Sequence, residues 1–132
     1  MFGSFFGKKT CDHAIPALDG SSALEDLMRD ELVVLFKHST ACPVSWAAHS
    51  QVTRFLKAHP ETHVRLIPVI KERPLSQRIA AVTGVRHESP QVIVLSRGEV
   101  VGSASHGEIT ADALAEMLAD AKRIGISRTT LS

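Results

Sequence analysis

The chain has 132 residues, 44% of them hydrophobic, and its 15 basic residues nearly balance 14 acidic ones. This length suits one domain with a single core. The balanced charge argues against a nucleic-acid-binding protein, because phosphate recognition needs clustered lysine and arginine side chains. The apolar runs are far shorter than the roughly 20 residues that a membrane helix requires, so we expect no membrane span.

The amino end predicts a location inside the cell. Residues 1–9 place phenylalanines before lysines and have no long apolar core, which is not the pattern of a secretory signal. We therefore expect a cytoplasmic protein, in a compartment where structural disulfides are rare. We expect residues 1–12 to form a mobile leader, residues 13–126 a single domain and residues 127–132 a short tail.

The first part of the domain predicts a short edge strand and a helix. Residues 15–18 have a strand-like pattern that Pro16 limits. Ser22 and Glu25 have the spacing of a capping box, and we expect a helix from Ser22 to about Asp30. Three apolar side chains share one face of this helix: Leu24, Leu27 and Met28.

The next part predicts a buried strand followed by a long helix. Residues 32–36 (LVVLF) are continuously apolar, which favours a strand covered on both faces. We expect the helix to run from Pro43 to about Ala58, where His59 and Pro60 end it. Its predicted inner stripe consists of Val44, Ala48, Val52, Phe55 and Leu56.

A second strand and a third helix are predicted after it. Residues 64–70 form another apolar run, in which we expect pairing to end at Pro68 because proline has no N–H donor. Pro74 is expected to begin a helix that ends at Gly84. The apolar residues along this helix are Leu75, Ile79 and Val82.

The last third of the chain predicts a β-hairpin and a closing helix. Residues 91–95 and 100–105 have strand patterns, with a tight turn at residues 97–98 between them. The final helix is expected to begin after a Thr110 cap and to end at Gly125. Its inner residues are Leu114, Met117, Leu118, Ala121 and Ile124.

Helices that alternate with strands before a hairpin predict an α/β fold with a mixed central sheet and helices on both faces. This order matches the thioredoxin-like fold. In that fold a reactive cysteine caps the helix after the central strand, and a cis-proline precedes the first strand of the hairpin. Pro90 has the second of these positions, so we expect a cis Ser89–Pro90 bond and a Ser89 backbone that faces the sulfur of Cys42.

Cys42 has the setting of a reactive thiol. It follows an apolar strand and a short polar loop, and it directly precedes Pro43, which makes it the expected N-cap of the helix. The unpaired N–H groups and the dipole at a helix N-terminus favour a thiolate over a thiol, so we expect a nucleophile here. The alternative is that Cys42 is a small buried hydrophobic residue, the usual state of a free cysteine.

Ser45 stands where a dithiol redox motif would have its second cysteine. Its hydroxyl or backbone N–H is expected to reach the sulfur of Cys42, but a hydroxyl cannot attack and resolve a mixed disulfide. The sequence therefore predicts one-thiol chemistry, with the second thiol supplied from elsewhere. Cys11 is interpreted as an incidental surface thiol, with a regulatory or resolving role as the alternative.

Three motifs together resemble one protein family. They are TACPVS at residues 40–45, RPLS at residues 73–76 and GVRHESPQ at residues 84–91. With these motifs the chain is similar to the monothiol bacilliredoxins, the YtxJ-type proteins of the bacillithiol system, over about residues 24–118. The family commonly has threonine directly before the cysteine, whereas here Ala41 separates Thr40 from it.

The resemblance implies a monothiol thiol-disulfide oxidoreductase that removes bacillithiol from protein mixed disulfides. It implies Cys42 as the nucleophile, Pro43 and Ser45 as its motif partners, and Pro90 as the cis-proline that follows Ser89. It also implies bacillithiol as a thiol co-substrate, no bound cofactor, and bacillithiol-carrying client proteins as partners. The alternative is a thioredoxin-like binding or redox-sensing module without turnover, which the missing resolving cysteine also fits.

Three further side chains near the motifs each allow a functional and a structural interpretation. Trp46 is interpreted as a wall of the active groove or as a packing residue. His38 and His87 either bind ligand and tune the thiol or are solvated loop histidines, which is the favoured interpretation. His59 and His63 have the spacing of metal ligands, but a proline between them prevents a shared helical face, so we expect no metal site.

Overall fold

The computed structural model describes residues 15–18 and 20–131, so the leader expected over residues 1–12, which includes Cys11, lies outside the described residues. The described chain forms four strands and four α-helices, which alternate up to β3 and then continue with β4 and α4. The strands are β1 (Val33–His38), β2 (Val64–Pro68), β3 (Gln91–Ser96) and β4 (Glu99–Ser105). The helices are α1 (Gly20–Leu27), α2 (Pro43–Ala58), α3 (Arg73–Thr83) and α4 (Ala111–Leu131), with a short 3-10 helix at His106–Glu108.

The strands form one mixed sheet in the order β2-β1-β3-β4. β1 is parallel to β2 and antiparallel to β3, and β3 pairs with β4 as the predicted antiparallel hairpin. Pairing between β1 and β2 ends with His38 opposite Pro68, as predicted. The edge strand expected at residues 15–18 is a single parallel bridge from Ala17 to Leu66 on β2.

Two apolar cores, one on each face of the sheet, hold the helices in place. α2 and α4 cover one face, and α1 and α3 cover the other. Because side chains alternate along a strand, Val34 and Phe36 belong to the first core and Val33 and Leu35 to the second. All residues of β1 are buried, which confirms the prediction of a strand covered on both faces.

The inner stripe of α2 differs from the prediction at its first turn. Ala48 is buried, as are Val52 and Phe55 after it, but Val44 is 46% exposed and Ser45 is fully buried. Ser45 and Ala48 are three residues apart and therefore lie on one helical face. Hydrophobicity alone selects Val44 for this face, and the fold places a hydrogen-bonded serine there.

Two predicted helix ends are confirmed. Gly84 ends α3 with a φ of 76°, in the left-handed region that glycine adopts without a steric penalty. Thr110 precedes α4, and its hydroxyl accepts the backbone N–H of Ala113 at 3.0 Å. Within the described residues, no helix combines the length and the apolar character that a membrane span requires.

Two other predicted helix ends are wrong. α1 begins at Gly20, so Ser22 lies within its first turn rather than at its N-cap. α4 continues to Leu131, so Gly125 does not end it, and the residues expected as a tail are helical up to that point. A glycine inside a helix costs only about 1 kcal/mol relative to alanine, which a helix of 21 residues can tolerate.

Candidate active site

The sheet brings the reactive cysteine and the proline to the same end of the molecule. The antiparallel register pairs Lys37 with Gln91, so Pro90 lies beside the end of β1. Cys42 follows that end of β1 after a short loop. The Ser89–Pro90 peptide bond is cis, as predicted. The contact expected between the Ser89 backbone and the sulfur stays a prediction.

Cys42 is the N-cap of α2, with extended backbone angles of φ −119° and ψ 121°. Its N–H donates to the carbonyl of Ser39 at 3.3 Å, and its own carbonyl accepts the N–H groups of Ser45 and Trp46 at 3.1 and 3.2 Å. Its side chain is a free thiol, is partly exposed and makes no capping hydrogen bond. Cys42 is therefore not a core residue, and its partly exposed thiol lies at the N-terminus of α2.

Ser45, in the position of a resolving cysteine, is fully buried. Its hydroxyl oxygen accepts the backbone N–H of Ser39 at 2.9 Å and lies 2.8 Å from Nδ1 of His38. Its backbone N–H donates to the carbonyl of Cys42. The expectation that Ser45 offers its hydroxyl or its N–H to the sulfur is therefore wrong, because other atoms use both groups.

Four aromatic rings pack together beside the motif: Phe36, His38, Trp46 and His49. We call them the ring cluster. The rings of His38 and Trp46 are 4.6 Å apart and nearly perpendicular, and those of His38 and His49 are 5.1 Å apart. Trp46 is 47% exposed, and its Nε1–H donates to the carbonyl of Thr40 at 3.0 Å. The indole therefore packs against other rings and also forms part of the surface beside the motif.

His38 is the last residue of β1 and is only 3% exposed, so its interpretation as a solvated loop histidine is wrong. Burial lowers the pKa of His38 below 6.5, His49 lowers it further, and an interaction with the backbone of Ser45 opposes both. His38 is therefore mostly neutral at pH 7. One sequence signal points to its burial, because it lies two residues beyond Phe36 and so shares the same face of the strand.

A second polar pair lies on the other face of β1. Nζ of Lys37 is 3.0 Å from Nδ1 of His87. Lys37 is fully buried, and this burial lowers its pKa to about 8. His87 is exposed, in agreement with its interpretation as a loop histidine. Partial burial of its ring lowers the pKa of His87, as do Lys37 and Arg73, whereas Glu88 raises it.

The two histidines with metal-ligand spacing lie elsewhere. His59 stacks on Phe55 at 4.8 Å, and Nδ1 of His63 is 3.5 Å from a carboxylate oxygen of Asp30. In the described part of the chain, no group of three or more His, Cys, Asp or Glu side chains could hold a metal ion. A cavity of about 340 Å³, lined in part by Asp30 and His63, lies where β1 and β2 begin. That end of the sheet is opposite to Cys42.

Solved structures with low sequence identity share the fold. Oxidised mitochondrial thioredoxin 3 from Saccharomyces cerevisiae is 14% identical, with a TM-score of 0.67 over 84% of this chain and 99% of its own. A mutant thioredoxin from Halobacterium salinarum is 21% identical, with a TM-score of 0.62 over 83% of this chain and 91% of its own. The predicted thioredoxin-like fold is therefore confirmed.

Two further comparisons identify the family. A proposed oxidoreductase with a thioredoxin fold is 32% identical, with a TM-score of 0.76 over 83% of this chain and 98% of its own. The model of the family described as monothiol bacilliredoxin BrxC matches residues 16–114, which include the cysteine motif and Pro90. Both comparisons support a thiol redox function. The chain belongs to the monothiol bacilliredoxin BrxC family.

Proposed function

We propose that this protein is a monothiol thiol-disulfide oxidoreductase that removes bacillithiol from protein mixed disulfides. One observation carries the proposal: the partly exposed thiol of Cys42 lies at the N-cap of α2, and position 45 holds a buried serine instead of a second thiol. A site with one thiol can form a mixed disulfide but cannot resolve it internally.

The proposed reaction has two exchange steps. In the first, the thiolate of Cys42 attacks the bacillithiol sulfur of the client's mixed disulfide. A new S–S bond forms between Cys42 and bacillithiol, the original S–S bond breaks, and the client cysteine leaves as a thiolate. In the second step, the thiolate of another bacillithiol or of a reductase-coupled thiol attacks the bacillithiol sulfur of the adduct, and Cys42 leaves as a thiolate. Each step exchanges one disulfide for another, so bacillithiol acts as a co-substrate and no bound cofactor is needed.

The residues around the sulfur have distinct proposed roles. The N-terminus of α2, which Pro43 begins, stabilises the thiolate when Cys42 attacks and again when it leaves. The Ser89–Pro90 segment offers main-chain groups to an extended client segment. Trp46 and His87 are exposed and border this groove as contacts for the client or for bacillithiol. A reducing cytoplasm suits the cycle, because Cys42 has to return to a free thiol.

Single-turnover mass spectrometry tests the proposal. The experiment uses a Cys11→Ser background, so that Cys42 is the only thiol, and a client peptide that carries bacillithiol in a mixed disulfide. We expect one bacillithiol mass increment on Cys42 and one equivalent of free client thiol. Added low-molecular-weight thiol should clear the increment. If no adduct forms, or if a Cys42→Ser variant gains the same increment, the proposed reaction is wrong.

The second candidate is a binding or redox-sensing module that keeps the adduct as a stable complex. The serine at position 45 favours it to the extent that the motif holds no second thiol to limit the adduct's lifetime. Turnover separates the two candidates. With excess thiol and client, an oxidoreductase releases many client thiols per protein molecule, whereas a binding module releases at most one.

A further inference from the structure

Ser45 connects β1 to the loop that carries the reactive cysteine. We call the contacts of its hydroxyl with His38 and Ser39 the junction. The hydroxyl of Ser45 accepts the N–H of Ser39, the first residue after β1, at 2.9 Å. The same hydroxyl lies 2.8 Å from Nδ1 of His38, the last residue of β1. Ser39 in turn accepts the N–H of Cys42 on its carbonyl at 3.3 Å. A displacement of the Ser45 hydroxyl therefore alters the loop at the residue that holds the Cys42 backbone.

His38 is a rigid partner for this hydroxyl. Its backbone belongs to the sheet, and its carbonyl also accepts the N–H of Val69 at 3.1 Å. Its imidazole is buried between the rings of Phe36, Trp46 and His49, with ring centroids 4.6 to 5.4 Å away. The side chain has no space to follow a moving serine, so the position of His38 determines the position of the hydroxyl.

The hydrogen-bonding capacity of serine indicates the protonation state in which this junction is complete. A serine hydroxyl has one proton and two lone pairs. Since the N–H of Ser39 occupies one lone pair, the proton is available to Nδ1 of His38, which accepts it only when Nδ1 carries no proton. A ring protonated on Nδ1 would instead donate to the hydroxyl, and the hydroxyl's own proton would then have no acceptor among its contacts in the described residues. Neutral His38 therefore suits the junction.

We propose that neutral His38 is a positioning residue for Cys42, which it holds through Ser45 and Ser39. The titratable group that acts on His38 from the helix packed above it is His49 of α2, and protonation of either ring weakens the junction. The inference rests on the proposed function only for Cys42 as the reacting group. It does not depend on bacillithiol as the substrate.

The test measures how fast Cys42 reacts with a generic probe, 5,5'-dithiobis(2-nitrobenzoate), in the Cys11→Ser background. His38→Phe keeps an aromatic ring and removes Nδ1, and we expect it to react on the order of tenfold more slowly, the rate equivalent of one net hydrogen bond. Ser45→Ala should cause a similar loss, and the double variant should be no slower than either single one, because both remove the same junction. His38→Asn places a polar group near the position of Nδ1 and should react within about twofold of the parent.

His49→Phe is the matched control, because it changes the other imidazole of the ring cluster and removes no hydrogen bond to the motif. It should react within about twofold of the parent. If His38→Phe also reacts at the parent rate, or if His38→Asn is as slow as His38→Phe, the positioning role is wrong. Since the probe contains no bacillithiol, failure of the bacillithiol reaction leaves this result unaffected.

A measurement on the unsubstituted side chains decides the question if His38→Phe does not fold. Trp46 is the single tryptophan of the chain, and protonation of a neighbouring imidazole quenches indole emission. We expect the emission and the NMR shift of the Ser39 amide proton to titrate together with a midpoint below pH 6.5. A Ser39 amide that does not change over the pH range of the emission change would overturn the proposal.

Discussion

The ammonium nitrogen of Lys37 is 3.0 Å from Nδ1 of His87, and this contact joins a fully buried lysine to an exposed histidine. Because a lysine ammonium only donates hydrogen bonds, Nδ1 of His87 accepts, and the neutral ring carries its proton on Nε2. No ion pair links Lys37 to a carboxylate in the described part of the chain. The strand therefore buries an amino group with a neutral partner.

Lys37→Met should stabilise the protein at pH 7. Burial lowers the pKa of Lys37 from 10.5 to about 8, so below pH 8 the fold bears the full cost of burying a charge. That cost is at most on the order of 3 kcal/mol, at 1.36 kcal/mol per pKa unit. Between pH 8 and 10.5 the unfolded chain binds more protons at this group than the native one, so the parent's stability rises with pH.

Urea unfolding at pH 7, 8.5 and 10 measures the effect of Lys37→Met on the free energy of unfolding. The parent should gain stability across the series, and Lys37→Met should show less of that gain. Lys71→Met, at an exposed lysine, is the matched control and should behave like the parent. The chain contains no tyrosine, which removes one other group that titrates in this range. A Lys37→Met variant that is less stable than the parent at pH 7 would contradict the prediction.

The stability should also fall on the acid side of neutrality. The pKa values of His38, His49 and His87 are all lowered, with burial as the main cause. Below pH 6.5 the unfolded chain therefore binds more protons than the native one, and stability decreases as the pH falls through the lowered values. Unfolding at pH 7.5, 6.5 and 5.5 should show this loss, and His49→Phe should reduce it.

The sequence predicted the strands and α2 well because their apolar runs and prolines are local signals. The run at residues 32–36 is buried in β1, and Pro43 and Pro68 mark a helix start and the end of strand pairing. The reactive cysteine was predicted for the same reason, since one proline places it at the N-cap.

The sequence did not predict the burial of Lys37 and His38, because this burial depends on contacts with residues outside the strand. Lys37 and His38 are polar and follow the apolar run, so hydropathy ends the strand before them, although both are buried. Lys37 is stabilised by a partner 50 residues away, and His38 by rings of α2 and the hydroxyl of Ser45. The pattern of the isolated strand contains neither partner. The ring cluster and the buried lysine were therefore found only in the fold.

Gly102→Ala should destabilise the protein by about 1 to 3 kcal/mol, the usual cost of overpacking a core. A Cβ atom at this position of β4 would lie 2.7 Å from Sδ and 2.9 Å from Cγ of Met117, so the methionine would have to move. Gly107→Ala is the matched control, because a Cβ atom there meets nothing within 4 Å. Thermal unfolding of the two variants provides the comparison. Adding Met117→Ala to Gly102→Ala should recover part of the loss if the clash is its cause.

Ser45→Cys should shorten the life of the proposed bacillithiol adduct, at a cost in stability. Position 45 is the third helical residue after the N-cap Cys42, and side chains at this spacing lie close enough to interact. A thiolate there can attack the sulfur of Cys42, form a disulfide within the motif and release bacillithiol as a thiolate. Sulfur accepts hydrogen bonds poorly, so the N–H of Ser39 loses its partner, which costs about 1 to 3 kcal/mol for a buried donor.

Ser45→Ala separates the two effects, because it loses the same hydrogen bonds and adds no thiol. In the Cys11→Ser background, both variants should unfold at lower urea concentration than the parent. Without external thiol, only Ser45→Cys should release free bacillithiol and lose the adduct mass, and its protein should become two hydrogens lighter than the reduced form. The adduct of Ser45→Ala should persist. Equal adduct lifetimes in the two variants would contradict the prediction. They would mean that a thiol at position 45 cannot reach the sulfur of Cys42.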